Sequence, residues 1–180
     1  MQHADLDVTL MHLAAELGAE LKALQWQVTA AESCTGGGIA AAITAVAGSS
    51  AWFEVGFVTY ANRTKTSLLG VPEATLEAHG AVSEPVVLAM VEGALAASGA
   101  DLAVAVSGIA GPDGGSREKP VGTVWLAWGR ADGWRRARCF YFDGDRASVR
   151  RQAVVVALRE LVDICQHGGR AYEPPEVGRG

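Results

Sequence analysis

Charge, sulfur and imidazole are all scarce in this chain of 180 residues: 19% of positions are charged, and there are three cysteines, three methionines and four histidines. Cys34, Cys139 and Cys165 are odd in number, widely spaced and without a CxxC pair. That excludes a disulfide framework and gives no zinc-site spacing, so a reducing cytoplasm is the default compartment. His3, His12, His79 and His167 are as scattered, none at helical or hairpin spacing from another plausible ligand, so neither metal nor cofactor is expected. Basic residues are outnumbered by acidic ones, 15 to 20, and the net charge of −5 has the wrong sign for a surface that neutralises nucleic-acid phosphates. No run approaches the ~18 to 20 apolar residues of a membrane span, and the first 24 residues are acidic and amphipathic, unlike a signal peptide.

What is present suffices for a core. Apolar residues make up 49% of the chain and the mean hydropathy is +0.17, enough burial to offset the ordering entropy of one domain. The periodic pattern supports a single domain over 1–168, and the Gly- and Pro-containing stretch 169–180 reads as a tail.

Leu10, Leu13, Ala14, Leu17, Leu21 and Leu24 recur at helical spacing, which predicts a helix over 6–24. Residues 26–33 read as a short strand, followed by a helix opened by three glycines and closed at Gly48. Residues 54–61 form a second strand, with Asn62 as the cap of the next helix. Pro72 opens a short helix, and Glu84 and Pro85 open a longer one that ends near Gly99. The nearly apolar segment 101–108 reads as a central strand, 109–120 as a Gly/Pro-rich loop, and 121–129 with 134–142 as a hairpin turning at Asp132-Gly133. A long helix from about Asp145 completes the pattern. Strand and helix alternation with a late hairpin predicts a three-layer α/β/α sandwich around a mixed, mainly parallel sheet.

In such sheets ligands gather beyond the carboxyl ends of the strands, and the first three strands deliver Ser33, Tyr60 with Lys65, and Ser107 with Gly108 to that edge. Ser33 precedes Cys34-Thr35-Gly36-Gly37-Gly38, a turn in which glycines admit close approach and the new helix offers free N–H groups, as an oxyanion or phosphate requires. Tight strand-to-helix packing explains the same glycines equally well. Lys65 falls in a first helical turn, where the dipole disfavours an ammonium and favours a neutral amine able to act as a base; an ordinary solvated lysine is the alternative. Tyr60 is either a site residue or a strand aromatic. Cys34, a thiol at a helix start, competes with Ser33 as nucleophile but has no nearby histidine in sequence. Arg146, with Arg150 and Arg151, puts cations at the start of the last helix, against its dipole, which suggests an anionic ligand.

Five stretches in order carry a resemblance: AESCTGG at 31–37, AGSSAWFEVGFVTYANRTK at 47–65, GAVSEPV at 80–86, SGIAGPDGGSREKPVGTVW at 107–125 and GDRASVRRQA at 144–153. Together they resemble the CinA C-terminal domain family, whose stand-alone members are nicotinamide-nucleotide amidases, and the likeness runs from about residue 7 to residue 165. It implies hydrolysis of the carboxamide of nicotinamide mononucleotide by a serine and a lysine assisted by a tyrosine, roles that carry over to Ser33, Lys65 and Tyr60. On that footing the N–H groups of Thr35, Gly36 and Gly37 are expected to hold the oxyanion. The 5′-phosphate falls to Arg146, helped by the Gly48-Ser49-Ser50 turn. Ala61, where a serine is frequent in the family, and the tail past Gly168 are departures that leave this set intact. A nucleotide-binding module without turnover, or a serine hydrolase of another small amide, keeps the same motifs. The partner expected is a small nucleotide substrate, with a homo-oligomer, most simply a dimer, suggested by Trp52, Phe53, Trp125, Trp128 and Trp134 near the strands.

Overall fold

Side chains on successive strand residues point to opposite faces, and in the segment 102–106 both faces are apolar, so this strand must be covered twice. The computed structural model describes residues 2–168. Its elements in chain order are α1 (Gln2–Leu24), β1 (Val28–Glu32), α2 (Gly38–Thr44), a 3₁₀ turn (Ser49–Ala51), β2 (Phe53–Val58), α3 (Asn62–Leu69), α4 (Glu73–His79) and α5 (Glu84–Ser98). β3 (Leu102–Gly108), β4 (Thr123–Arg130), β5 (Arg135–Tyr141) and α6 (Arg146–His167) follow. The sheet order is β2-β1-β3-β4-β5, parallel for β2-β1-β3 and antiparallel for β3-β4-β5, so that only β4 runs against the other four.

The two faces differ in bulk. Leu102, Val104 and Val106 of β3 join Leu126 and Trp128 of β4 beneath Leu17 and Leu21 of α1, Ile39 and Ile43 of α2, and Leu158, Leu161 and Ile164 of α6. On the other face Ala31, Ala103, Ala105 and Ala127 leave room for α5 to lie close, through Val86, Val87, Met90, Val91 and Ala94. That is the expected α/β/α sandwich. α3 is drawn against α5 at Gly93, where an added Cβ would stand 1.8 Å from the Leu69 carbonyl oxygen.

Several details correct the sequence reading. α2 ends at Thr44 and not at Gly48, the interval being filled by the 3₁₀ turn, and α1 begins at Gln2, ahead of the periodic stretch. Asn62 is the first residue of α3; the N-cap is Ala61, and no side chain caps the helix. Of the five aromatics held to exceed what the helices cover, Trp52 and Trp128 are buried, and Phe53, Trp125 and Trp134 are half-buried against the two cores. These five rings are thus wholly or partly taken up by the two cores. The tail expected over 169–180 lies outside the described residues. Among the described residues no helix is long and apolar enough to cross a membrane.

Candidate active site

β1 and β3 are in register from Val28↔Leu102 to Glu32↔Val106, and β1 and β2 end together at Glu32↔Val58. Ser33 and Thr59 therefore stand side by side one residue past the ends of β1 and β2, while Ser107 next to them is still paired with β4. The Ser33 N–H donates to the Val106 carbonyl at 3.0 Å, and the Thr59 N–H to the Glu32 carbonyl at 2.8 Å, which extends the sheet by one residue and fixes where each turn starts.

Lys65 is fully buried, an uncommon place for a lysine. From the first turns of α3 its side chain runs back under the strand ends, where Nζ lies 3.1 Å from Ser33 Oγ, 2.7 Å from the Thr59 carbonyl and 3.5 Å from the Tyr60 carbonyl. Burial pushes its pKa below the ordinary 10.5, the neighbouring Cys34 opposing this more weakly. A neutral amine has two N–H groups and one lone pair. In that form the two carbonyls can take the N–H groups and leave the lone pair for the serine hydroxyl.

Cys34 is nearly buried, and burial pushes its thiol up to about 11, so it carries little thiolate at neutral pH and the case for it as nucleophile weakens.

Tyr60 is exposed and meets Lys65 only through its backbone carbonyl. Its hydroxyl accepts from Arg146 Nη2 at 2.8 Å, while Arg146 Nη1 donates to the Gly111 carbonyl at 2.9 Å. Arg146 thus stands against the Tyr60 side chain although it is 86 positions further along the chain. Arg150, one turn on in α6, donates from Nη2 to the Thr35 carbonyl at 3.0 Å, and its Nε is buried without a hydrogen-bond partner. Asp145 caps α6 by accepting from the Ser148 N–H at 2.8 Å, which fixes the angle at which both arginines enter.

The glycine turn differs from expectation in its donors. The Gly36 N–H bonds Ser33 O, that of Gly38 bonds Thr35 O, and those of Gly37, Ile39 and Ala40 all donate to the Glu32 carboxylate. Gly36 and Gly37 therefore shape the turn and do not themselves face an oxyanion; the adjacent donors outside this internal set are the N–H groups of Cys34 and Thr35. Gly36 has φ +58° and an added Cβ would lie 3.2 Å from Arg150 Nη2, so glycine serves the arginine's approach. Gly108 is a glycine for β4, since a Cβ there would reach 2.6 Å from Val124. Ser107 is buried next to Val106 and pairs with Trp125 across β3 and β4.

One expected group is not brought in. Gly48 and Ser49 precede β2, at the edge where the parallel strands begin, and the Trp52 carbonyl accepts from Val28 at the start of β1. The six residues of β2 separate them from Ser33 by roughly 20 Å. Glycine content pointed to an anion site there, but these residues make the turn into the edge strand.

Glu32 escaped the sequence reading. An acidic residue ending an otherwise apolar strand, immediately before a glycine turn into a helix, is the signal that marks it.

Comparison with known proteins bears on the whole arrangement. Residues 10–165 match the CinA C-terminal domain. A nicotinamide-nucleotide amidohydrolase, PncC, of Pseudomonas putida is 63% identical over 156 residues, which cover 84% of this chain and 94% of that protein. The protein of the same name from Escherichia coli K12 is 59% identical over 157 residues, covering 86% and 94%. A crystal structure of competence damage-inducible protein A from Klebsiella pneumoniae superposes with a TM-score of 0.85 at 44% identity, over 88% of this chain and 98% of that one.

Proposed function

The chain belongs to the CinA C-terminal domain family, and on that premise we propose that it hydrolyses the carboxamide of nicotinamide mononucleotide to nicotinate mononucleotide and ammonia, with Ser33 as nucleophile and Lys65 as base. The observation that carries this reading is the buried Lys65 amine, 3.1 Å from Ser33 Oγ and otherwise hydrogen-bonded to two backbone carbonyls. In the first step Ser33 Oγ bonds to the carboxamide carbon while its proton passes to Lys65 Nζ. The oxyanion faces the N–H groups of Cys34 and Thr35. Collapse of the adduct returns the proton to the departing nitrogen, ammonia leaves, and a nicotinoyl ester remains on Ser33. Water then attacks this ester, Lys65 accepts its proton and passes it to the departing Ser33 Oγ, and the carboxylic acid is freed with serine and amine restored.

Tyr60 acts on this sequence through its hydroxyl and not as a relay from Lys65. With Arg146 donating to its oxygen, the phenol keeps its own proton to give, and that proton is directed to the substrate. Tyr60→Phe is expected to lower kcat by about tenfold, in line with the loss of one hydrogen bond; a steady-state assay of ammonia release measures it.

Both Arg146 bonds go to neutral oxygens, so the guanidinium has charge left for an anion. Its partner is the 5′-phosphate. Arg146→Ala is expected to raise KM for the mononucleotide by ~10 to 100-fold, about 1.5 to 3 kcal/mol, with a smaller effect on nicotinamide riboside; an unchanged KM removes Arg146 from phosphate recognition.

The direct test is ammonia release from nicotinamide, its riboside and its mononucleotide. Turnover that increases sharply with the phosphate supports the proposal. Saturable binding of the mononucleotide without product refutes it.

A further inference from the structure

Glu32 is nearly fully buried, yet its side chain takes no part in the chemistry described above. Four donors converge on it. Thr35 Oγ1 lies 2.5 Å from Oε2, the N–H groups of Gly37 and Ile39 lie 3.1 Å from the same oxygen, and the Ala40 N–H lies 2.9 Å from Oε1. Burying a carboxylate is costly, and here the charge-assisted bonds and the start of α2 offset that cost.

The placement goes beyond what capping a helix requires. A residue at the N-cap itself would satisfy the first turn of α2. Glu32 instead reaches forward from the strand, over the residues that carry the nucleophile, and grips the chain on the far side. Ser33 and Cys34 are therefore enclosed between Glu32 and its own hydrogen-bonding partners. The Thr35–Gly36 peptide is held at both ends, its carbonyl by Arg150 Nη2 and its N–H by Ser33 O. The main chain of Glu32 extends the same frame to the base, since its carbonyl accepts from the Thr59 N–H and the Thr59 carbonyl accepts from Lys65 Nζ.

We propose that Glu32 is a positioning residue for the Ser33 reaction: by occupying the Gly37, Ile39 and Ala40 N–H groups it fixes the turn so that Ser33 Oγ faces Lys65 and the Cys34 and Thr35 N–H groups face the oxyanion. A second consequence concerns specificity. With the first-turn donors of α2 consumed internally, the substrate's phosphate is turned away from this helix and left to the arginines of α6. The role rests on the Ser33/Lys65 reading above.

Glu32→Gln keeps the side chain's shape but sets an amide NH2 against backbone N–H donors. Expected are a kcat lowered by ~30-fold or more, as small misplacements of reacting groups produce, a KM within about threefold of wild type, and an acid limb of the pH profile left in place. Phosphonylation of Ser33 by a fluorophosphonate, with loss of fluoride, should slow in parallel. Its amplitude counts competent sites and its rate reports alignment, so a merely structural role would lower the amplitude and leave the rate per site unchanged. That result overturns the proposal, as does a shifted acid limb, which would make Glu32 a partner in Lys65's proton transfer. Should Glu32→Gln fail to fold, Thr35→Val removes one of the four donors, and kcat per titrated site should fall by roughly 3 to 10-fold at unchanged KM; an unaltered kcat refutes the role. Wild-type protein that releases no ammonia fails the hydrolase reading, and the phosphonylation rates then still test Glu32. Wild-type turnover matched by Glu32→Gln fails Glu32 alone.

Discussion

Ser33→Ala is expected to lower kcat for ammonia release by roughly 10³-fold or more, with the fold intact. The loss is large because no neighbouring group replaces the oxygen: Cys34, next in sequence, is a buried thiol held mostly protonated. The fold survives because the structural bond of Ser33 is made by its backbone N–H to Val106, which alanine retains, while the Oγ atom bonds Lys65. Thermal unfolding should stay within a few degrees of wild type. A Ser33→Ala protein with near wild-type kcat would end the assignment of the nucleophile.

Lys65→Met should be as severe in turnover, again roughly 10³-fold or more, and it has a second signature in stability. In the folded chain the Lys65 pKa lies below the ordinary 10.5. At any pH between the lowered value and 10.5 the unfolded chain holds the proton and the folded chain does not. Stability therefore rises with pH across that window, and the penalty for burying the charged form is fully present below it. Methionine fills the same volume without a proton to lose, so Lys65→Met should flatten this slope while forfeiting the bonds to the Thr59 and Tyr60 carbonyls. The two effects oppose each other near neutrality, which leaves the midpoint of unfolding little changed. For the wild type, kcat/KM should rise with pH through the same lowered value to a plateau. Denaturant titrations of both proteins at several pH values, alongside the pH-rate profile, check the pair of expectations. An acid limb that survives in a residually active Lys65→Met protein would assign the titration to another group.

The sequence exposed the order of the elements and the three residues proposed to react for one reason: both are written locally. Short apolar runs rich in Val and Ala mark strands that a sheet must bury, and the rule that ligands gather at carboxyl ends of parallel strands then selects Ser33, Tyr60 and Lys65. What stayed hidden depends on contacts across the fold. Asn62 looks like a cap, yet the chain enters α3 with Ala61 in the capping position. The glycines at 36 and 37 look like an open anion turn, and a carboxylate from the preceding strand has already claimed the Gly37 N–H. Gly48 and Ser49 have suitable composition and lie at the wrong edge of the sheet, a fact carried by strand direction and not by residue type. The resemblance to a family supplied the roles of Ser33, Lys65 and Tyr60. The distances supply the reason that Lys65 reaches Ser33 directly and meets Tyr60 only at its backbone.

The attachment of Arg146 to Tyr60 and Gly111 bridges 86 and 35 positions of chain. Such long loops close late, after local helices and the β1-β2-β3 unit have had the opportunity to form. On the ribosome, the segment bearing Ser33 and Lys65 emerges well before the first turn of α6. At that stage one side of the sheet also lacks Leu158, Leu161 and Ile164, which complete its cover. α6 thus brings both the seal of the larger core and the cation facing the tyrosine. A nascent chain stopped before residue 146 would possess the proposed nucleophile and base but neither a closed interior nor the arginine proposed to grip the phosphate, so on that reading hydrolytic competence arrives only once α6 has docked.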